Sequence, residues 1–385
     1  MKRAKGFSLL EMIIAMALGT IVLGAAVHIY SQGVAATWTV SQRAELQQDF
    51  RAASNMLTRD ISLAGAGLSP GTALALPSAT TPVYGCDQTK CYINGTAGAP
   101  YPIKSGTPYL YGLLTGYNAG PTISSMTSDI ITTIYTDSSF YLNCYATAIT
   151  ARGVVTFSQP AGATPWAGCL PNSSATAPQA INDSVVGLTQ GDLVLMTLGG
   201  NPVVAEVTGP VTTGVDGAGN TTYSVPFANN DALKMNQTPT GGGLNSIASG
   251  ASGTASAAPC GGTGPCRLLV ITYYLDNGVS PPRLMRQVSG HTPQPVAENV
   301  AYMKFSYDLY NASTNTPAVN QPNPGSGDTN DTASNGLIPN QITKVNILHM
   351  AMDSTVKGAR GGYQGADLET SVSARNLTYT NTYAN

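Results

Sequence analysis

Charged side chains are scarce in this sequence. They make up 10% of its 385 residues and leave a net charge of −2, against about a quarter in an average soluble domain. Polyanion binding needs clustered Lys and Arg for counterion release, and the 18 basic residues are thinly spread among 20 acidic ones, so nucleic acid is not an expected partner. Histidine is rare too: His28 sits in an apolar run, His291 in a Gly/Thr/Pro loop and His349 among apolar residues of an expected strand. Metalloprotease, nucleophile-elbow, Walker and dinucleotide-binding motifs are missing. No enzyme activity, cofactor or metal is therefore expected. Proline is absent before Pro70, which leaves the residues ahead of it free to form one long helix.

Six cysteines are present, as Cys86 and Cys91, Cys144 and Cys169, Cys260 and Cys266, each pair in Gly/Pro/Thr-rich sequence that reads as loop. Disulfides in an oxidising compartment are the natural inference. A structural zinc site is the alternative, but no C-x-x-C or nearby histidine accompanies the pairs. Several connectivities are open to six cysteines, and short spacing favours the three local pairs.

The first thirty residues are strongly patterned. Lys2, Arg3 and Lys5 precede an apolar run, and Met12 to Tyr30 carries no charge, which is close to the roughly 20 residues needed to span a bilayer. The flanking cations are expected to stay cytoplasmic. One carboxylate, Glu11, stands at the mouth of this run. A cleaved signal peptide would have a shorter apolar core without a carboxylate at its entry. A plain anchor has no use for Glu11, because a charge inside the membrane costs about 2.5 to 3.5 kcal/mol on insertion scales. Beyond the span, Leu46, Phe50, Ala53, Leu57, Ile61 and Ala64 recur at steps of three and four, while Gln47, Arg51, Asn55 and Arg59 line another face. That is an amphipathic helix. Together the two stretches predict one helix from about Phe7 to Ala64, roughly 85 Å long, stopped by Gly65, Gly67 and Ser69-Pro70.

The string Lys5-Gly6-Phe7-Ser8-Leu9-Leu10-Glu11 ahead of a long apolar stretch resembles the class III leader of type IV prepilins and type II secretion pseudopilins. The resemblance implies that a prepilin peptidase cuts between Gly6 and Phe7 and methylates the new amine of Phe7. It also implies that Glu11 acts in assembly, facing the terminal amine of a neighbouring subunit. Within that family, Leu57-Thr58-Arg59-Asp60-Ile61-Ser62-Leu63-Ala64-Gly65 resembles the helix end of PilW-type minor pilins and of the related J-type pseudopilins. "GDLVLM" at Gly191, "YYLDNGVSPPRLMRQ" from Tyr273 and "VAENVAYMKFSYDLY" from Val296 resemble strand signatures of the same group.

The remainder reads as a β-rich head. Ser128–Thr136 is a β-branched run, Leu193–Leu198 and Val203–Val207 flank a hairpin turn at Gly199-Gly200-Asn201, and Leu268–Leu275 is apolar on both faces, as a central strand should be. Asp276-Asn277-Gly278 turns that strand back toward Leu284–Val288. Met303, Phe305 and Tyr307 alternate with Lys304, Ser306 and Asp308, a half-buried pattern. Val345–Met352 and Thr370–Leu377 are expected to complete the sheet. Residues 238–265 and 311–335 are Gly/Ser/Ala/Thr/Asn/Pro-rich and too poor in apolar side chains to order by burial. They read as long surface insertions. Asp328, Asn330 and Asp331, and Asp216 with Asn220, lack the spacing of a Ca²⁺ loop and read as solvated turns.

The expected architecture is thus α+β and pilin-like. A leader at 1–6 precedes a helix at 7–64 that crosses the membrane over 7–30, and a β-rich head fills 65–385. Three functions fit. The first is a minor pilin, a structural subunit in the assembly or priming of a type IV pilus; the second is a pseudopilin of a type II secretion system; the third is a membrane-anchored periplasmic binding or adhesive protein. For the first, the partners are other pilin or minor pilin subunits, the prepilin peptidase and the bacterial inner membrane. The chain would lie in that membrane with its head in the periplasm, then move to the pilus or cell surface.

Overall fold

The computed structural model describes residues 8–377, except for 69–73, 77–80, 159–177, 237–251, 254–265, 312–315, 325–337, 354–364 and nine other positions taken singly or in pairs. Its first element is α1, Leu9–Leu63, an unbroken 55-residue helix, about 82 Å long. Without proline or a mid-helix glycine pair near the core, nothing interrupts its hydrogen-bond ladder. The expected first helical residue, Phe7, lies outside the described residues, and Ser8 is the N-cap. From Leu9 through Tyr30 every residue is exposed. Further along, Leu46, Ala53, Leu57, Ile61 and Ala64 turn inward and are buried, while Gln47, Arg51, Asn55 and Arg59 face out, as their spacing requires. The helix ends where Gly65 and Gly67 take φ of +80° and +71°. A Cβ on Gly67 would sit 1.8 Å from Thr136 Oγ1, so that turn admits no side chain.

The head is built from antiparallel strands in several sheets. The main ones are β1 (Leu113–Gly116), β2 (Ile130–Thr136), β3 (Ala146–Ala151), β4 (Val154–Ser158), β5 (Leu193–Leu198), β6 (Asn201–Glu206), β7 (Thr212–Val215), β8 (Thr221–Pro226), β9 (Cys266–Asp276), β10 (Arg283–Val288), β11 (Gln294–Glu298), β12 (Val300–Asn311), β13 (Thr316–Gln321), β14 (Ile342–Asp353) and β15 (Gly365–Ser373). Strand β9 organises the centre. Leu268 pairs with Leu193 on β5 and Thr136 on β2, and Ile271 pairs with Val288 on β10 and Thr133 on β2. One edge of β9 is therefore held by β2 and the other by β5 and then β10. Its faces divide by alternation: Ile271, Tyr273 and Leu275 join the core under α1, while Leu268, Val270 and Tyr274 join a second core on the opposite face. This explains an apolar run without period-two polarity.

A four-stranded sheet, in the order β13-β12-β14-β15, presents Met303, Phe305, Tyr307, Val345, Ile347 and Met350 to the same core as α1. A five-stranded sheet, β7-β8-β4-β3 plus Ser252–Gly253, closes a third core around Phe157, Val225 and Phe227. Three sequence expectations change. The segment 311–335 begins as structure, because β13 pairs with β12 through Tyr310–Pro317 and Asn311–Thr316; residues 325–337 lie outside the described residues. Ser252–Gly253 pairs with Thr147 and Ala148, so part of 238–265 is also a strand, supplied by backbone pairing that needs no apolar side chain. The last strand runs Gly365–Ser373 and not Thr370–Leu377. Leu377 instead folds back so that its side chain would touch any Cβ on Gly65.

Candidate functional site

The N-terminal end of α1 is organised by two side chains. Ser8 Oγ accepts the N–H of Glu11 at 3.3 Å, and Glu11 Oε2 accepts the N–H of Ser8 at 2.9 Å. This reciprocal capping box satisfies two of the N–H groups that every helix start leaves unpaired, and a carboxylate there also suits the positive end of the helix dipole. Glu11 is exposed, and Oε1 has no partner among the described residues. The large apolar side chains from Leu9 through Tyr30 are each at least half exposed, and this half of the helix is long and apolar enough to cross a membrane, with none of its residues buried. Among the described residues, none covers them. Gly6 and Phe7, the expected cleavage and methylation positions, lie outside the described residues.

The other end of α1 is fixed by a buried charge that helical periodicity alone does not mark. Asp60 is 3% exposed. Its Oδ1 accepts Tyr135 OH at 2.9 Å, and its Oδ2 accepts Tyr273 OH at 2.6 Å and Arg286 Nε at 2.8 Å. These partners come from β2, β9 and β10, so one helix residue ties three strands of the central sheet. Burial, reinforced by the charge of Asp60 and its hydrogen bonds, pushes both phenols above their ordinary pKa. For Arg286 burial works against the charge, but the hydrogen bond and charge of Asp60 outweigh it and hold the guanidinium above its usual value. A cavity of about 640 Å³ lined in part by Met56, Arg286 and Val296 lies alongside. A signal was present in the sequence: Asp60 stands between Leu57 and Ile61 on the inward face, where a lone carboxylate needs a partner.

Cysteine chemistry follows the expected class. Cys86 and Cys91 form a disulfide, and the loop between them is closed by Asp87, whose Oδ1 accepts the N–H groups of Thr89 and Lys90 and the hydroxyl of Thr89, and whose Oδ2 accepts Tyr92 OH. Burial opposes the Asp87 charge, but these donors hold its pKa well below the usual carboxylate range. Cys144 and Cys266 are also disulfide-bonded; Cys169 and Cys260 lie outside the described residues. Asp216 forms a turn in which it accepts from Ala218 N–H and from Asn220, and Asp328, Asn330 and Asp331 lie outside the described residues. His291 contacts Asp192 and His349 contacts Asp367.

Residues 1–27 match the family described as the prokaryotic N-terminal methylation motif. No curated protein and no solved structure matches the chain. The matched segment contains Gly6, Phe7 and the Ser8–Glu11 box, and it leads into the exposed apolar half of α1 and a β-rich head. The chain thus carries the N-terminal methylation motif of type IV pilin-like prepilins at the head of a pilin-like α+β architecture.

Proposed function

We propose that this protein is a minor pilin, a structural subunit that takes part in the assembly or priming of a type IV pilus. The observation that carries the reading is the exposed first half of α1, led by a single carboxylate at its cap. Exposed apolar side chains on this scale need a bilayer before assembly and other helices after it. In the proposal, prepilin peptidase cuts between Gly6 and Phe7 and methylates Phe7. Residues 7–30 hold the subunit in the inner membrane, with the head in the periplasm. On incorporation, Glu11 neutralises the terminal amine of a neighbouring pilin, because an unpaired amine in an apolar bundle is costly.

The capping box gives Glu11 a competing, purely local role, and two substitutions separate the two. Glu11→Gln keeps the box, since glutamine serves equally at that position, but removes the charge; Glu11→Leu removes both. We expect both variants to be cleaved, membrane-bound and folded, and both to be depleted from sheared filaments. Normal incorporation of Glu11→Gln would leave only the cap. N-terminal mass spectrometry of the mature chain should find methylated Phe7 as its first residue, and a start after Ala26 would overturn the pilin reading in favour of a signal peptide. Loss of the gene should abolish piliation; loss of protein secretion with pili intact would assign the chain to a type II secretion pseudopilus.

A further inference from the structure

The outer face of the four-stranded sheet gathers three metal-ligating side chains. His349 Nδ1 on β14 lies 2.8 Å from Asp367 Oδ2 and 3.9 Å from Glu369 Oε1 on β15, and the three ligand atoms are all within 4.8 Å of one another. Asp367 and Glu369 are two residues apart on an edge strand and so share a face. His349 joins them because the sheet is irregular at this point. Phe305 pairs with Ile347 and Lys304 with His349, while Ile347 pairs with Thr370 and Met350 with Leu368, so Leu348 is an extra residue against both neighbouring strands. Val345 and Ile347 point inward before this bulge, and Met350 and Met352 after it. Without the extra residue His349 would continue the inward phase of Ile347. The bulge turns it outward, onto the carboxylates.

We propose that His349, Asp367 and Glu369 bind a divalent transition ion of the zinc class, through the imidazole Nδ1 and one oxygen from each carboxylate, with water completing the coordination. Bonds of 2.0 to 2.2 Å in a tetrahedral shell place neighbouring ligand atoms about 3.4 Å apart. The observed 2.8 and 3.9 Å straddle that value, and half-exposed side chains reach it by small rotations. The donor set selects the class. A hard ion such as Ca²⁺ or Mg²⁺ prefers oxygen ligands alone, whereas one imidazole with carboxylates suits zinc and its neighbours. Among the described residues, no lysine or arginine forms an ion pair with either carboxylate. The competing explanation is an ordinary ion pair on an edge strand that carries charge to discourage sheet-to-sheet pairing.

The test is Zn²⁺ titration of the detergent-solubilised full chain after chelation, at neutral pH. One saturable equivalent is expected, with a rise in the thermal midpoint on Zn²⁺ addition. His349→Ala and Glu369→Gln should each weaken uptake roughly tenfold or more without moving the metal-free midpoint, since all three side chains are exposed. His291→Ala, which alters the other histidine of the head, should bind as wild type does. X-ray absorption of the zinc-loaded wild type should report one imidazole nitrogen, carboxylate oxygens and no sulfur, a readout that needs no variant. Equal uptake by wild type and His349→Ala, loss of uptake in His291→Ala, or no saturation below millimolar Zn²⁺ would each overturn the site and leave an ion pair only.

Discussion

Replacing Asp60 with alanine probes how the helix is joined to the head. The change strands Arg286 Nε and the hydroxyls of Tyr135 and Tyr273, all three of which converge on this carboxylate. Removing one partner of a buried ion pair costs about 3 to 5 kcal/mol. Here the Arg286 side chain is 22% exposed and borders a cavity, so the stranded guanidinium can recover some hydration; the phenols, losing a charged acceptor, add about 1 kcal/mol each. We expect a net loss of about 2 to 4 kcal/mol. For a head of this size that is a fall of roughly 3 to 6 °C in the unfolding midpoint, measured by near-UV circular dichroism of the full chain in detergent. Amide exchange should rise first around residues 57–64, where Leu57, Ile61 and Ala64 share the core beneath the latch. Tyr135→Phe and Tyr273→Phe should each cost about 1 kcal/mol. Asp60→Ala combined with Arg286→Leu should cost less than the sum of the two changes, by about 1 kcal/mol or more, because contacting partners couple. A shift below about 0.5 kcal/mol for Asp60→Ala, or strict additivity in the double variant, would refute the latch and leave apolar packing alone to hold α1.

Three further outcomes follow from buried or constrained groups. Glu206 is fully buried, accepts from Leu233 N–H and Gln88, and lies close enough to Asp231 for the second carboxylate to disfavour its charge. Burial pushes the Glu206 pKa up to about 8 from 4.5, and that of Asp231 upward as well. The fold therefore prefers the neutral acid. That stability is full below about pH 4.5 and is lost as pH rises through about 8, so the thermal midpoint should fall over that interval, and Glu206→Gln should flatten the fall. Gly67→Val forces a Cβ toward Thr136 Oγ1 at a positive φ and should cost about 2 kcal/mol or more, seen as a lower denaturation midpoint; an unchanged midpoint would refute the tight helix stop. Non-reducing peptide mapping should join Cys86 to Cys91, as observed here, and is expected to pair Cys144 with Cys169 and Cys260 with Cys266; Cys144 or Cys266 recovered as a free thiol would contradict their bonded state.

Local features of this protein were legible in the sequence because their causes are local. Helix length follows from the absence of proline, the inward stripe from a spacing of three and four, and the helix stop from two glycines at φ values other residues avoid. The apolar run of Leu268–Leu275 marked a central strand because both faces are covered, and the leader string marked the prepilin class. Tertiary structure decided what depends on distant partners. The purpose of Asp60 rests on Tyr135, Tyr273 and Arg286, which lie 75, 213 and 226 residues away. Strands inside the Gly/Ser-rich segments arise from backbone hydrogen bonds, which leave no side-chain pattern to read. His349 meets Asp367 and Glu369 only because one extra residue shifts the phase of β14, and a phase shift of that kind is set by the register of two neighbouring strands, not by the strand that carries it.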